Sequence, residues 1–311
     1  MTHTDLDPGK PPVPALIEGY YADPHLTVFD GRFYIYPTTD GSEGWQATSF
    51  RAFSSRDLVE WTDHGVVFSL PEDTGWAREH AWAPAVAERD GRYFLYYTAE
   101  RENIGVAVAP APTGPFKDLG VPLISEGAYP GRAIDPNVFV DEDGAAYLYW
   151  GNGVAHVVRL NDDMVSFDPS TVISWIPTAF CEAPNVHRRG GVYYLSWSEN
   201  DTRDENYRVR YATATSPFGP WTDQGVLLEK APGRGIYATG HHSIVRIPDS
   251  DEWLIAYHRF AIPGGTGYRR ELAIDPLIHT PEGRLQKVRT SHEPVVRELT
   301  HHCTTSEQAS K

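Results

Sequence analysis

Helical periodicity is nearly absent from these 311 residues. Gly (27) and Pro (25) interrupt the chain throughout, which excludes a mainly helical fold. Cysteine is scarce: Cys181 and Cys303 imply no disulfide framework. Cys181 has no base-like neighbour and reads as a small buried residue, not a nucleophile. No run of 18 apolar residues occurs, so no helix is expected to span a membrane. Positive charge is in deficit, with 27 Lys plus Arg against 42 Asp plus Glu and a net charge of −15. That balance argues against nucleic acid or an anionic membrane as partner, and is indifferent to a neutral ligand such as a sugar. The start, MTHTDLDPGKPPVPALIEG, lacks a basic region followed by an apolar stretch. The expectation is therefore a cytoplasmic protein, or a secreted one if a leader has been trimmed. GxSxG, HExxH, Walker and CxxC motifs are missing too. Loose APGRG and PGGTG stretches read as turns, because no helix follows them.

What is present is β-structure. Hydrophobic residues make up 41% and aromatics 12%, including 9 Trp and 17 Tyr. Short aromatic and β-branched runs between turn clusters predict an all-β chain. One unit recurs five times: ADPHLTVFDGRFYIYPT from Ala22, WAPAVAERDGRYFLYYT from Trp82, IDPNVFVDEDGAAYLYW from Ile134, EAPNVHRRGGVYYLSWS from Glu182 and HHSIVRIPDSDEWLIAYH from His241. Each copy is a short opening, a β run, a polar turn and a second aromatic run. Stretches such as FSSRDLVEWTDHGVVF then read as two outer strands. Pro24, Pro84, Pro136 and Pro184 lie 60, 52 and 48 residues apart. Four strands in somewhat over forty residues is the propeller pattern, with insertions in the loops. No blade buries both faces alone, so the ring must close. The expectation is a five-bladed β-propeller forming one domain over residues 15–300. Residues 15–22 or the last strand should complete the closure. Residues 1–14 are expected to be a flexible lead-in and 301–311 a disordered tail.

In a propeller the innermost strands run in one direction, so their starts share one mouth. Asp23, Trp82, Asp135, Glu182 and His241 are expected there. Nothing in sheet formation requires acids over a channel, and converging acids repel. Three together point to chemistry. Two carboxyl groups in opposite protonation states suit glycoside hydrolysis, and a third can raise the acid's pKa.

The openings ADPH, IDPN and EAPN, taken as an ordered set, resemble glycoside hydrolase family 43. The resemblance covers about residues 18–295 and implies a five-bladed propeller that inverts the anomeric carbon. It implies Asp23 as general base, Glu182 as general acid, and Asp135 as the acid that tunes and orients Glu182. His241, in GHHS, matches a channel histidine that contacts a cation or its water. A Ca²⁺ or other cation is thus expected near it, held mainly through water, with no cofactor needed for the chemistry. Arg270, in YRREL, resembles the family's sugar-binding Arg, with Arg269 as the competing choice. Trp82 is expected to wall the sugar pocket and Trp45, in GSEGWQATSF, to cover it.

The activity expected is an exo-acting α-L-arabinofuranosidase on plant polysaccharide fragments. The stretch YHRFAIPGGTGYRREL looks more like furanosidases than arabinanases. β-Xylosidase and galactofuranosidase stand close behind. Retaining fructan-acting propellers also carry two Asp and one Glu, but have Arg before the middle Asp-Pro and Cys after the Glu. Here Ile134 and Ala183 occupy those places. A propeller that binds sugar without cleaving it is the reading from a different class. Oligomeric state is not encoded in any of these features.

Overall fold

A computed structural model describes residues 15–297; the lead-in and the tail expected at the two ends lie outside them, apart from residues 298–300 of the expected domain, which are also outside. Five antiparallel sheets follow one another along the chain. Blade one is β1 (Tyr21–Phe29), β2 (Arg32–Thr39), β3 (Ser49–Ser55) and β4 (Trp61–Ser69). Blade two is β5 (Trp82–Arg89), β6 (Arg92–Ala99), β7 (Asn103–Ala109) and β8 (Lys117–Asp118). Blade three is β9 (Asn137–Val140), β10 (Ala146–Trp150), β11 (Ala155–Arg159) and β12 (Ile173–Trp175). Blade four is β13 (Glu182–Arg189), β14 (Val192–Glu199), β15 (Arg208–Ala214) and β16 (Thr222–Leu228). Blade five has three strands, β17 (Gly240–Arg246), β18 (Trp253–Phe260) and β19 (Arg270–Leu277). The innermost strands meet in a closed cycle, β1 to β5 to β9 to β13 to β17 and back to β1. The fold is a five-bladed β-propeller.

The core lies between blades. Five buried clusters fill the five junctions. Phe50, Phe68, Val86 and Tyr97 lie between blades one and two, and Phe94, Leu148 and Trp150 between two and three. Tyr149, Leu195 and Trp197 lie between three and four, and Tyr211, Leu227, Ile255 and Tyr257 between four and five. Aromatic side chains fit because each spans the gap between two twisted sheets. Burying one stabilises the fold by about 1.5–3 kcal/mol.

Closure differs from the expectation in its means. No strand from residues 15–22 adds to blade five. Ile17 instead buries its side chain among Leu26, Phe53, Leu254 and Ile274, wedged between blades one and five. Nor do residues 278–297 form a fourth strand on their own blade. The segment turns at Thr280–Gly283 and crosses to blade four, where the Val288 N–H donates to the Leu227 carbonyl. Leu285 and Val288 bury in the junction between blades four and five, and Leu285 keeps a bridge to His279 just past β19.

Candidate active site

Each innermost strand begins with the same irregularity. Asp23, Ala83, Asp135, Ala183 and His241 all have left-handed backbone, with φ between 42° and 59°. In blades one, two, four and five the register with the second strand shifts at this point, a bulge that re-aims the neighbouring side chains. Four of the five N–H groups are tied to the preceding blade. Ala83 donates to Thr38 Oγ1 (2.8 Å), Asp135 to Thr98 Oγ1 (3.0 Å), His241 to Ser198 Oγ (2.9 Å) and Asp23 to His258 Nδ1 (3.2 Å). The equivalent residues around the ring are therefore not the five expected. Trp82 and Glu182 stand one place earlier, level with Ala22, Ile134 and Gly240, because the bulge residue in those blades is alanine.

Asp23 is buried and surrounded by cationic or donor groups. Its Oδ1 lies 3.1 Å from His241 Nδ1, 3.1 Å from His258 Nδ1 and 3.4 Å from Arg270 Nη1. Burial opposes ionisation, but His241 and Arg270 outweigh it and hold the carboxyl far below the ordinary carboxylate range. Burial and the nearby guanidinium hold His258 down to about 3, so this imidazole is neutral near pH 7. Asp135 is shifted the other way. Burial, then Glu182 and Asp23, push its carboxyl well above the usual range. Two aspartates at equivalent positions are thus shifted in opposite directions.

Glu182 is half-buried and held from both sides. Tyr207 donates its hydroxyl to Oε1 at 2.8 Å, and Asn152 Nδ2 donates to Oε2 at 3.0 Å. Asn152 reaches it from the Gly151–Gly153 turn, which bridges onto the start of β13. Gly151 has φ 132°, and a Cβ there would lie 2.0 Å from the Val154 carbonyl oxygen, so only glycine makes this turn. Single ligand atoms of Asp135, Glu182 and His241 lie within 4.8 Å of one another. The three expected acids and His241 are brought together.

Arg270 is buried at the start of β19 and Arg269 is exposed, which separates the two candidates. Nε of Arg270 donates to Asp40 Oδ2 (2.8 Å) and Nη1 to Thr202 Oγ1 (3.2 Å). The aromatic wall lies beside it. Trp45 sits on a left-handed residue, donates Nε1 to the Gly267 carbonyl (2.8 Å) and packs on Tyr268 at 4.8 Å. Trp82 donates Nε1 to the Trp45 carbonyl (2.7 Å), its ring edge-on at 6.3 Å. The Arg270 guanidinium lies 6.0 Å from the Trp45 ring. Asp40, Asn152, Thr202, Tyr207 and His258 are the residues that sequence reasoning missed.

Beneath the acids is an axial cavity of about 20 Å³, lined by Asp135, Asn185, His242 and others. Asp135 Oδ2, Asn185 Oδ1 and His242 Nδ1 are buried with no hydrogen-bond partner among the described residues. These acceptors fit water or a cation. Two oxygens and one imidazole nitrogen are far short of a Ca²⁺ shell of six to eight oxygens, so an ion there would be held mainly through water. Direct chelation by Asp135, Glu182 and His241 together would occupy Glu182, and His241 Nδ1 already faces Asp23.

The comparisons agree with this geometry. The family model for Glycosyl hydrolases family 43 matches residues 13–285. A β-D-galactofuranosidase (xynD) of Aspergillus niger is 33% identical, over 94% of this chain and 88% of its own length. A xylosidase/arabinosidase of Bacteroides ovatus is 32% identical, over 86% of this chain and 94% of its own. The solved structure of an α-L-arabinofuranosidase from Clostridium thermocellum superposes with a TM-score of 0.75 at 31% identity, covering 91% of this chain and 98% of that one. With a propeller mouth that gathers three carboxyl groups, and a family match over most of its length, the chain belongs to glycosyl hydrolase family 43 and is a glycoside hydrolase.

Proposed function

We propose that this glycosidase is an exo-acting, inverting α-L-arabinofuranosidase. One observation carries the chemistry: three carboxyl groups converge at one mouth, Asp23 against His241 and Arg270, and Asp135 beside Glu182. Asp23 takes the proton of the attacking water. Glu182, the more accessible carboxyl, protonates the leaving oxygen. Asp135, within reach of Glu182, favours the protonated form of that acid through like charge and orients it. Arg270 binds sugar hydroxyls with the guanidinium hydrogens that Asp40, Thr202 and Asp23 leave free. A cation in the axial cavity, held through water by Asp135, Asn185 and His242, would supply positive charge below the acids. Trp82 and Trp45 form the wall on which the sugar packs. Trp45, cross-tied to Gly267 and Trp82, raises one side of the mouth, which favours removal of a terminal residue.

The furanosidase choice rests on the YHRFAIPGGTGYRREL stretch, which builds β18, the Gly-rich loop against Trp45, and Arg270. β-D-Galactofuranose is the second reading, favoured by the full-length relative of that name. A panel of 4-nitrophenyl furanosides and pyranosides tests both, with Asp23→Asn and Glu182→Gln as controls. The arabinofuranoside should be cleaved and NMR should show the inverted anomer first. Cleavage of another glycoside with arabinofuranoside untouched would overturn the substrate assignment. Sugar binding without turnover by the unmodified protein would return it to a binding module.

A further inference from the structure

We infer that Asp40 is a positioning residue for the glycosidase reaction, the group that aims Arg270 at the sugar; this rests on the glycosidase reading above. Asp40 follows β2 in blade one, and Arg270 opens β19 in blade five, 230 residues away. The Asp40 side chain is fully buried. Its Oδ2 accepts twice from the same residue, from Arg270 Nε at 2.8 Å and from the Arg270 backbone N–H at 3.1 Å. That double grip fixes both the strand end and the plane of the guanidinium. Nη1 is then directed to Thr202 Oγ1 and Asp23 Oδ1. Nη2 has no hydrogen-bond partner among the described residues, which leaves it to a ligand.

The chain is shaped to put Asp40 there. Its own N–H donates to the Tyr20 carbonyl, and the Gly41 N–H donates to the Tyr268 carbonyl across the ring closure. Gly41 has φ 101°, and a Cβ on it would lie 3.0 Å from the Tyr20 ring. A buried carboxylate is costly unless paired, so a turn built to bury one has a purpose beyond packing. The alternative partner for Arg270 is Asp23. Without Asp40, the guanidinium is free to swing onto Asp23 and take both of its oxygens. That motion removes a sugar contact and covers the base. Asp40 holds the two apart, and its loop also carries Trp45, so one segment sets both the Arg and the wall.

The test compares Asp40→Ala, Asp40→Asn, Arg270→Ala and the Asp40→Ala/Arg270→Ala double variant, by kcat, KM and thermal melting. Asp40→Ala should lose about 10- to 100-fold in kcat/KM, as misplacement of one aligned group does. Asp40→Asn keeps an acceptor for Nε–H and should fall between it and the unmodified enzyme. KM should rise in both, as it does in Arg270→Ala. The double variant should be no worse than Arg270→Ala alone, because Asp40 acts only through Arg270. If Asp40→Ala does not fold, Asp40→Asn carries the test, with a several-fold rise in KM at an intact melting point. Folded Asp40 variants with unchanged kinetics, or losses that add to that of Arg270→Ala, would overturn the inference. An unmodified protein that cleaves no glycoside would overturn the glycosidase reading itself and this inference with it.

Discussion

Replacing Tyr207 by Phe removes one oxygen from the site and tests whether Glu182 works as the acid. Tyr207 is fully buried and its ring stacks on His258 at 5.5 Å, so the phenyl ring should stay in place. Burial, then Glu182, push the phenol well above its ordinary range, so it remains a donor at any working pH. The bond lost is a 2.8 Å contact from the hydroxyl to Glu182 Oε1. As Glu182 gives up its proton in the transition state it becomes a carboxylate, and hydrogen bonds to charged groups contribute about 1.5–3 kcal/mol. That corresponds to about 10- to 100-fold in rate if the bond holds Glu182 in its reactive position. Asn152 still grips Oε2, so the carboxyl should be loosened, not released. The effect should depend on the leaving group. A sugar alcohol needs full protonation as it departs, and the variant should lose most of that 10- to 100-fold in kcat. A 4-nitrophenolate needs little help, and its kcat should fall only a few-fold. The assay is kcat on an arabino-oligosaccharide and on the 4-nitrophenyl glycoside, with KM and melting temperature as controls. Equal losses on both substrates would refute the reasoning, since Tyr207 would then act on binding or fold and not on proton delivery.

Two further outcomes are expected. Asp275 lies far from the mouth on β19, where burial outweighs the bonds from Tyr257 and Ser291 and raises its carboxyl to about 6. The folded protein holds this proton where the unfolded chain has lost it, so stability falls as pH rises from about 4 through 6. The shift from 3.8 corresponds to about 3 kcal/mol. Asp275→Asn keeps an acceptor for Tyr257 and should be more stable than the unmodified protein at pH 8, with little difference at pH 4; denaturant titrations at both pH values check this, and equal pH dependence in the two proteins would refute it. Gly240→Ala should act on the site through packing. A Cβ at Gly240 would lie 2.2 Å from the Tyr207 ring, which is buried and cannot yield freely. Overpacking of this kind costs about 1–3 kcal/mol. Melting temperature should drop and kcat should fall with the same leaving-group dependence as Tyr207→Phe; unchanged values in both would show that the ring has room to move.

The acids were legible because the repeat was. Recurrence of β-rich units at roughly similar spacing made the ring, and the ring alone put Asp23, Asp135, Glu182 and His241 at one mouth. The misplacement of Trp82 and Glu182 by one position had a usable signal. Aligning the copies on Pro24, Pro84, Pro136 and Pro184 puts Ala83 and Ala183 level with Asp23 and Asp135, and leaves Trp82 and Glu182 one residue ahead. The second tier was not legible. Tyr207, Asn152, Thr202, His258 and Asp40 come from loops and second strands, and their meeting depends on how blades twist and how long each loop is. His258 is 235 residues from Asp23 and looks like any aromatic in the run WLIAYHRF. The fourth strand expected after β19 failed for a related reason. The segment carries a strand-like pattern, but its apolar residues bury in the junction between blades four and five, and its backbone divides its bonds between Leu227 and Ile278.

The one-residue offset has a chemical consequence. Each blade presents one functional side chain at the mouth, from either the left-handed residue or the one before it. Where the left-handed residue is Ala (Ala83, Ala183), its predecessor is Trp82 or Glu182. Where it is Asp23, Asp135 or His241, the predecessor is Ala22, Ile134 or Gly240. Among the carboxyl groups the two positions differ in depth, although His241 at the left-handed position is also half-buried and Ala22, Ile134 and Gly240 at the other are buried. Asp23 and Asp135 are buried, while Trp82 and Glu182 are half-buried. A left-handed backbone on a residue other than glycine costs about 1–3 kcal/mol, and the inter-blade bonds from Thr38, Thr98, Ser198 and His258 are what hold four of the five in it. In return, one repeated backbone shape offers two levels. The lower one desolvates a carboxyl and lets its neighbours decide its proton, which is how Asp23 and Asp135 diverge. The upper one leaves a side chain in reach of solvent and of a departing group, which is where an acid that must reload its proton after every turnover has to stand.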